Sequence, residues 1–135
     1  MGKIRSHKPV KHFCAITFSN AFDINKILEK IESIFGEIDS ISEVYFFDQF
    51  TDYYVSEMGE NLQKLFVAFT KLQDPEHLIQ HKIQSNHLEQ EFLLKDLRQV
   101  NIDPGYITEA KLVLATTKDY SHRLYLGKGV FGDLH

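Results

Sequence analysis

The chain has 135 residues, 43% apolar and 25% charged, which suits one globular domain with its own core and excludes a disordered chain. The net charge of −4 is uneven: residues 1–12 carry four Lys/Arg and no acid, residues 13–97 six basic and fifteen acidic side chains, and residues 98–128 five basic and three acidic. An acidic body excludes a continuous basic face, so no extended nucleic-acid surface is expected.

No apolar run suits a membrane span or the core of a secretory leader, so no membrane association is expected. The single cysteine, Cys14, excludes an internal disulfide and fits a reducing, cytoplasmic setting. Residues 1–9 are expected to form a flexible, solvated arm ending at Pro9, followed by one domain over 10–135.

Residues 10–18 are rich in β-branched and aromatic side chains and predict a strand. Ser19, Asn20 or Asp23 can cap the helix that follows. Ile24, Ile27, Leu28, Ile31, Ile34 and Phe35 repeat at helical spacing, and Gly36 sits where a C-cap belongs. Residues 41–47 predict a second strand, Asp48 to Thr51 a turn, and Asp52 to Met58 a short helix capped by Thr51 and ended by Gly59. Residues 64–71 are apolar on both faces, which predicts a central strand covered on both sides, or covered by a partner.

Asp74-Pro75-Glu76 reads as a helix start, with a cap, proline at the first position and an acid in the first turn. Leu78, Ile79, Ile83, Asn86, Phe92 and Leu93 fall on one side of that second long helix, so Asn86 should need a hydrogen-bond partner. Gln99 to Asp103 predict a strand stopped by Pro104-Gly105. Residues 107–117 favour a helix capped by Thr108 over a strand. Leu124–Leu126 and Val130–Phe131 flank Gly127-Lys128-Gly129 and predict a hairpin. Together these elements predict an α+β fold, a single mixed or antiparallel sheet with two long helices, of which a ferredoxin-like sandwich is one form.

Two stretches carry a family resemblance. One is Phe50-Thr-Asp-Tyr-Tyr-Val-Ser-Glu-Met-Gly59. The other runs from Val100 through Asp103-Pro104-Gly105 and Thr116-Thr-Lys-Asp-Tyr-Ser-His-Arg123 to Gly129. Both resemble the prokaryotic family called domain of unknown function 4416, and the likeness reaches more weakly back to Val10. The resemblance implies no assigned activity. Some members of the family are described as GTP-binding, yet this chain has no Gly-x-x-x-x-Gly-Lys-Ser/Thr loop, and Gly127-Lys128-Gly129 is not one. The family continues past this point with further strands, so the domain is expected to lack C-terminal strands.

The richest polar run follows Asp-Pro-Gly. Lys111, Lys118, Arg123 and Lys128 suit phosphate. Thr116, Thr117 and Ser121 can complete an anion cradle. Asp103, after a strand, can hold Mg²⁺ or orient a hydroxyl, and His122 can move a proton near neutral pH. Set against this, turn chemistry alone accounts for Pro104 and Gly105, and solvated charges account for the rest. A second group, Asp48, Asp52, Tyr53, Tyr54 and Glu57, offers carboxylates for a metal and rings for stacking, though a capped helix explains it better.

His77 and His81, four apart, have zinc-like spacing but no evident third ligand, and a solvated helix face is the better reading. Cys14, within an apolar strand, reads as a small core residue. The chain is thus expected to bind a phosphorylated small molecule or nucleotide at residues 103–128, whether or not it is an enzyme. The alternative is a non-catalytic interaction or assembly module. Its eleven Phe and six Tyr exceed what some small cores bury, and an unpaired edge would favour a homo-oligomer.

Overall fold

The computed structural model describes residues 1–20, 22–46, 58 and 62–135. The expected turn and short helix between Asp48 and Gly59 therefore lie almost wholly outside the described residues, with the second acidic and aromatic group. Residues 1–9 are exposed and carry no regular secondary structure.

The chain runs β1 (Lys11–Phe18), α1 (Ile24–Phe35), β2 (Ile38–Ile41), β3 (Tyr45–Phe46), β4 (Gln63–Phe69), α2 (His77–Glu91), β5 (Val100–Ile107), β6 (Leu112–Thr116), β7 (Arg123–Gly127) and β8 (Val130–Leu134). The strands form one eight-stranded sheet in the order β2-β4-β1-β5-β6-β8-β7, with β3 also paired to β4. Every pairing is antiparallel. This is an α+β fold with helices of 12 and 15 residues among the described residues.

α1 forms where its periodicity places it. The Asp23 carboxylate accepts the Asn25 N–H, and Gly36, at φ 110°, donates its N–H to the Glu32 carbonyl. Ile27, Ile31 and Phe35 are buried on the sheet side. They join Cys14, Ile16 and Phe18 of β1, Leu65, Val67 and Phe69 of β4, Val100 and Ile102 of β5, and Leu88 and Phe92 from α2 and its end. Both helices thus cover the same face of the sheet. A second, smaller cluster joins Leu78 of α2 to Val113, Ala115 and Val130.

Four expectations are corrected. The strand expected at 41–47 starts at Ile38 instead and breaks after Ile41. Ser42 makes the break, donating its N–H to the Phe66 carbonyl and accepting the Phe66 N–H on Oγ. β4 is fully covered on one face only, since Phe66 on its other face is exposed. Residues 107–117 are no helix: Thr108 caps a tight turn by accepting the Ala110 and Lys111 N–H groups, and Leu112–Thr116 form β6. The contiguous Leu-Val-Leu-Ala run fits a strand that contributes to the core from one face and to a cleft from the other.

The fourth correction matters most for function. Pro104-Gly105 does not stop β5. The strand pairs with β1 along its whole length, from Val100↔Phe18 to Ile107↔Lys11. Its pairing with β6 covers only Gly105 to Ile107. β5 and β6 therefore part at Pro104. Backbone N–H groups alternate sides along a strand, so those of Ile102 and residue 104 face the same way. Ile102 presents its N–H to the Glu89 carboxylate on α2, 2.7 Å away. Pro104 thus places its missing donor on the side β6 has left, and no buried donor is orphaned. Gly105 sits at the fork, where a Cβ would lie 2.6 Å from both the Phe13 ring and the Val113 carbonyl oxygen.

The predicted hairpin is present. Lys128 at φ 52° and Gly129 at φ 82° make its two-residue turn, and both need the left-handed backbone that glycine adopts freely.

Candidate functional site

The parting of β5 and β6 opens a cleft of about 600 Å³. α2 closes one side with Lys82, Asn86 and Glu89. β5 contributes Asn101 and Asp103, and β6 and the loop after it contribute Thr116, Thr117, Lys118 and Tyr120. Arg98, Arg123 and Asp133 complete the lining.

α2 is built for this cleft rather than for an oily core. Its buried positions are Leu78, His81, Lys82, Ser85 and Leu88, which recur at helical spacing. The expected apolar side is displaced: Ile79, Ile83 and Asn86 are only half-buried. A lysine can turn inward here because the open fork gives it a partner. The Lys82 side chain is 8% exposed and its Nζ lies 3.4 Å from Asp103 Oδ1. Ser85 Oγ donates to the Lys82 carbonyl. Asn86 lines the cleft, so its amide faces polar surroundings.

Two polar networks face each other across the opening. In the first, Asn101 Nδ2 donates to Asp103 Oδ2 at 2.9 Å, and Arg98 donates to Asn101 Oδ1. Arg98 also lies 3.7 Å from Glu89. Burial raises the Glu89 pKa, although the Ile102 N–H and the charges of Lys82 and Arg98 pull it down. In the second network, Arg123 Nε donates to Asp133 Oδ2 at 3.0 Å and its guanidinium lies over the Tyr120 ring, 4.5 Å from the centroid. Arg123 also donates to the Lys118 carbonyl. Partial burial disfavours the Asp133 charge, but Arg123, His135 and His122 outweigh it and hold the carboxyl below its usual range.

The cleft gathers Asp103, Thr116, Thr117, Lys118 and Arg123 from the predicted set. His122 is exposed outside the lining, with Nε2 3.5 Å from Asp133. Lys111 lies in the turn before β6, at the far end of that strand from Thr117, and Ser121 and Lys128 are exposed. None of these three lines the cleft. Asp52 lies outside the described residues. Lys82, Glu89, Arg98, Asn101, Tyr120 and Asp133 escaped sequence reasoning, because each taken alone looks like a solvated polar residue, and Asn86 was expected to need a hydrogen-bond partner but not to line a site. A further signal was the charged Lys82 falling between Leu78, Ser85 and Leu88 on one helical stripe.

The solvated-face reading of His77 and His81 is corrected. His77 is exposed, but His81 is buried, against Phe35 and the buried His12 of β1. Burial, aided by His12 and His77, pushes the His81 pKa down to about 3, and burial also lowers that of His12. Cys14 is fully buried, and burial pushes its thiol pKa far up. Among the described residues, no group of three or more His, Cys, Asp and Glu side chains is arranged to hold a metal ion. No helix among the described residues is long and apolar enough to cross a membrane.

Comparison with known proteins agrees with the family resemblance of residues 100–129. No curated protein and no solved structure matches the chain. A family model described as "Domain of unknown function (DUF4416)" matches residues 8–135, nearly its whole length, and the chain belongs to that family.

Proposed function

We propose that the cleft between β5 and β6 binds a small phosphate-bearing molecule, with nucleotides among the candidates. The observation that supports this reading is the convergence of Lys82, Arg98, Lys118 and Arg123 on one opening, beside the hydroxyls of Thr116 and Thr117. Three carboxylates, Glu89, Asp103 and Asp133, balance four cations, so the lining carries a formal charge of +1. The Lys82–Asp103 contact is loose at 3.4 Å, and a phosphate oxygen can compete for that ammonium. Arg123 is held by Asp133 and Tyr120 with donors to spare, which pre-orients its planar fork. Tyr120, 52% exposed, offers a ring face to a base or sugar. Asp103 is the carboxylate best placed to meet Mg²⁺ carried in by a phosphate ligand.

We read the β1–β5 portion as a ferredoxin-like sandwich. Its order is β-α-β-β-α-β once the two-residue β3, which lies off the main strand path on β4, is set aside, and its β2-β4-β1-β5 strand order supports this too, with β6, β8 and β7 extending the sheet beyond the cleft.

The test is a thermal-shift panel of nucleotides, sugar phosphates and inorganic phosphate, each with and without Mg²⁺. A ligand that binds only the folded state raises the melting temperature by mass action. The shift should be lost in Arg123→Ala and Lys118→Ala and kept in Lys111→Ala. An equal shift in all three variants, or none with any ligand, would sink the reading.

A second reading is assembly through the sheet edge. β7 ends the strand order, and its Leu124 and Tyr125 are 73% and 62% exposed. A second copy pairing antiparallel along β7 would cover both residues in an isologous contact. A light-scattering mass that stays monomeric at every concentration would count against it.

A further inference from the structure

We propose that the ligand of the cleft is a phosphorylated sugar or polyol, its phosphate held by Lys118 and Arg123 and its hydroxyls by Asp103 and Asn86. This rests on the phosphate reading above and adds where the phosphate sits and what it is attached to.

The cleft has two unlike ends. Around β5 the charges of Lys82 and Arg98 are matched by those of Glu89 and Asp103, so that end is formally neutral. Beyond β6, Lys118 and Arg123 stand with one carboxylate, Asp133, so the formal excess of +1 lies there. A phosphate belongs at this second end, where the Thr117 hydroxyl joins the two cations. The neutral end offers hydrogen bonds without net charge, which suits hydroxyls.

The strands aim both ends at one ligand. Side chains alternate faces along a strand. Val100 and Ile102 pack in the core beneath the helices, so Asp103 takes the opposite face of the sheet. Val113 and Ala115 pack with Leu78 of α2, so Leu114 between them also takes that opposite face. Asp133 pairs with Leu114, and Arg123 with Asp133, so both share it. Asp103 and Arg123 therefore stand on one face, on opposite lips of the fork. Lys82 reaches Asp103 through the fork from the helix side.

Two groups at the neutral end have hydrogen-bonding capacity left. Asp103 accepts from Asn101 on Oδ2 and meets Lys82 through Oδ1 at 3.4 Å, and its side chain is 33% exposed, which leaves lone pairs for a hydroxyl. On α2, Asn86 lies between Lys82, which touches Asp103, and Glu89, which touches Ile102, so it overlooks the same stretch of β5. Its amide makes no hydrogen bond among the described residues and can both donate to and accept from a hydroxyl.

The lining suits a sugar better than a nucleobase. Its aliphatic side chains are Leu114 and Ala115, and the Arg123 guanidinium covers one face of the Tyr120 ring. A flat base finds no slot with apolar surface on both sides, whereas the other face of Tyr120 can pack on the C–H side of a sugar.

Isothermal titration of the full chain tests this with ribose 5-phosphate, glucose 6-phosphate, inorganic phosphate, phenyl phosphate and AMP. At least one of the two sugar phosphates should bind about tenfold tighter than inorganic or phenyl phosphate, the gain from a hydrogen bond to a charged acceptor. AMP should bind no tighter than ribose 5-phosphate. Asn86→Ala, at a half-buried position with no hydrogen bond to lose, should shrink the preference for the sugar phosphate over inorganic phosphate, and Asp103→Asn should do the same. Arg123→Ala should weaken every one of these compounds and keep the preference. Equal affinity for the sugar phosphates and for inorganic or phenyl phosphate, tighter binding of AMP, or a preference untouched in both Asn86→Ala and Asp103→Asn would overturn this inference and leave the phosphate reading standing. Binding of none of the five compounds would overturn both.

Discussion

The Glu89 carboxylate stands where the neighbouring strand would be for Ile102: its Oε1 accepts the Ile102 N–H at 2.7 Å, on the side of β5 that β6 has left. A helix side chain thus substitutes for a strand carbonyl, and the cleft exists because of that substitution. Glu89→Leu leaves a buried donor unsatisfied and should cost about 1–3 kcal/mol in urea denaturation. Glu89→Gln keeps an acceptor oxygen in place and should lose clearly less. Equal losses in the two variants would mean that the hydrogen bond contributes nothing.

Gly105 fixes the fork itself. A Cβ there would meet the Val113 carbonyl oxygen and the Phe13 ring at 2.6 Å, and the backbone atom cannot rotate away. Gly105→Ala should destabilise the fold by about 1–3 kcal/mol or more, whereas Gly2→Ala, with nothing near it, should be silent. Comparable urea midpoints for the two variants would contradict the close approach.

Much of this fold is written locally, and the cleft is not. The cap at Asp23, the periodicity from Ile24 to Phe35 and the stop at Gly36 are all read from neighbours in the chain. So is the Gly127-Lys128-Gly129 turn. The course of β5 through Pro104 is different, because it depends on which neighbouring strand needs the missing N–H, and that is a fact of tertiary structure. Lys82 and His81 sit on a helix whose sequence reads as polar. Only the fork beside Asp103 and the nearby His12 make their burial sensible. Within the polar run after Asp103, chain proximity correctly grouped Thr116, Thr117, Lys118 and Arg123. It said nothing of Lys82, 21 residues from its partner Asp103, or of Asp133, 10 residues from its partner Arg123.

Lys82 is the most buried charged side chain of the cleft's ion pairs, and its partner is Asp103. Lys82→Met leaves Asp103 with Asn101 and partial access to water, since its side chain is 33% exposed. Truncating one partner of a fully buried pair costs about 3–5 kcal/mol, and this exposure should reduce the loss to roughly 1–2 kcal/mol. The double variant Lys82→Met with Asp103→Asn should recover part of it, as a coupling in a double-mutant cycle. Strict additivity would show that the two side chains do not interact.

Cys14 should be chemically silent in the folded protein. Its side chain is fully buried, and burial together with the nearby Asp103 charge raises its pKa, outweighing the opposite pull of Lys82. Thiolate is the reactive form, so a thiol reagent should label the chain only as it unfolds. Labelling of the native protein at a rate independent of denaturant would contradict this placement.

Glu89 also gives the fold a pH signature with a defined sign. Its folded pKa lies above the ordinary 4.5, burial being the main cause. Between 4.5 and that raised value the folded state holds a proton that the unfolded chain has released, so stability falls as pH rises through this window and is constant above it. Glu89→Gln cannot titrate and keeps an acceptor for the Ile102 N–H. The stability of wild type relative to this variant should therefore be greatest in acid and decline toward neutral pH. Comparing the two proteins at each pH removes the titrations they share, and a difference that grows more favourable to wild type as pH rises would mean that the Arg98 and Lys82 charges, not burial, govern this carboxylate.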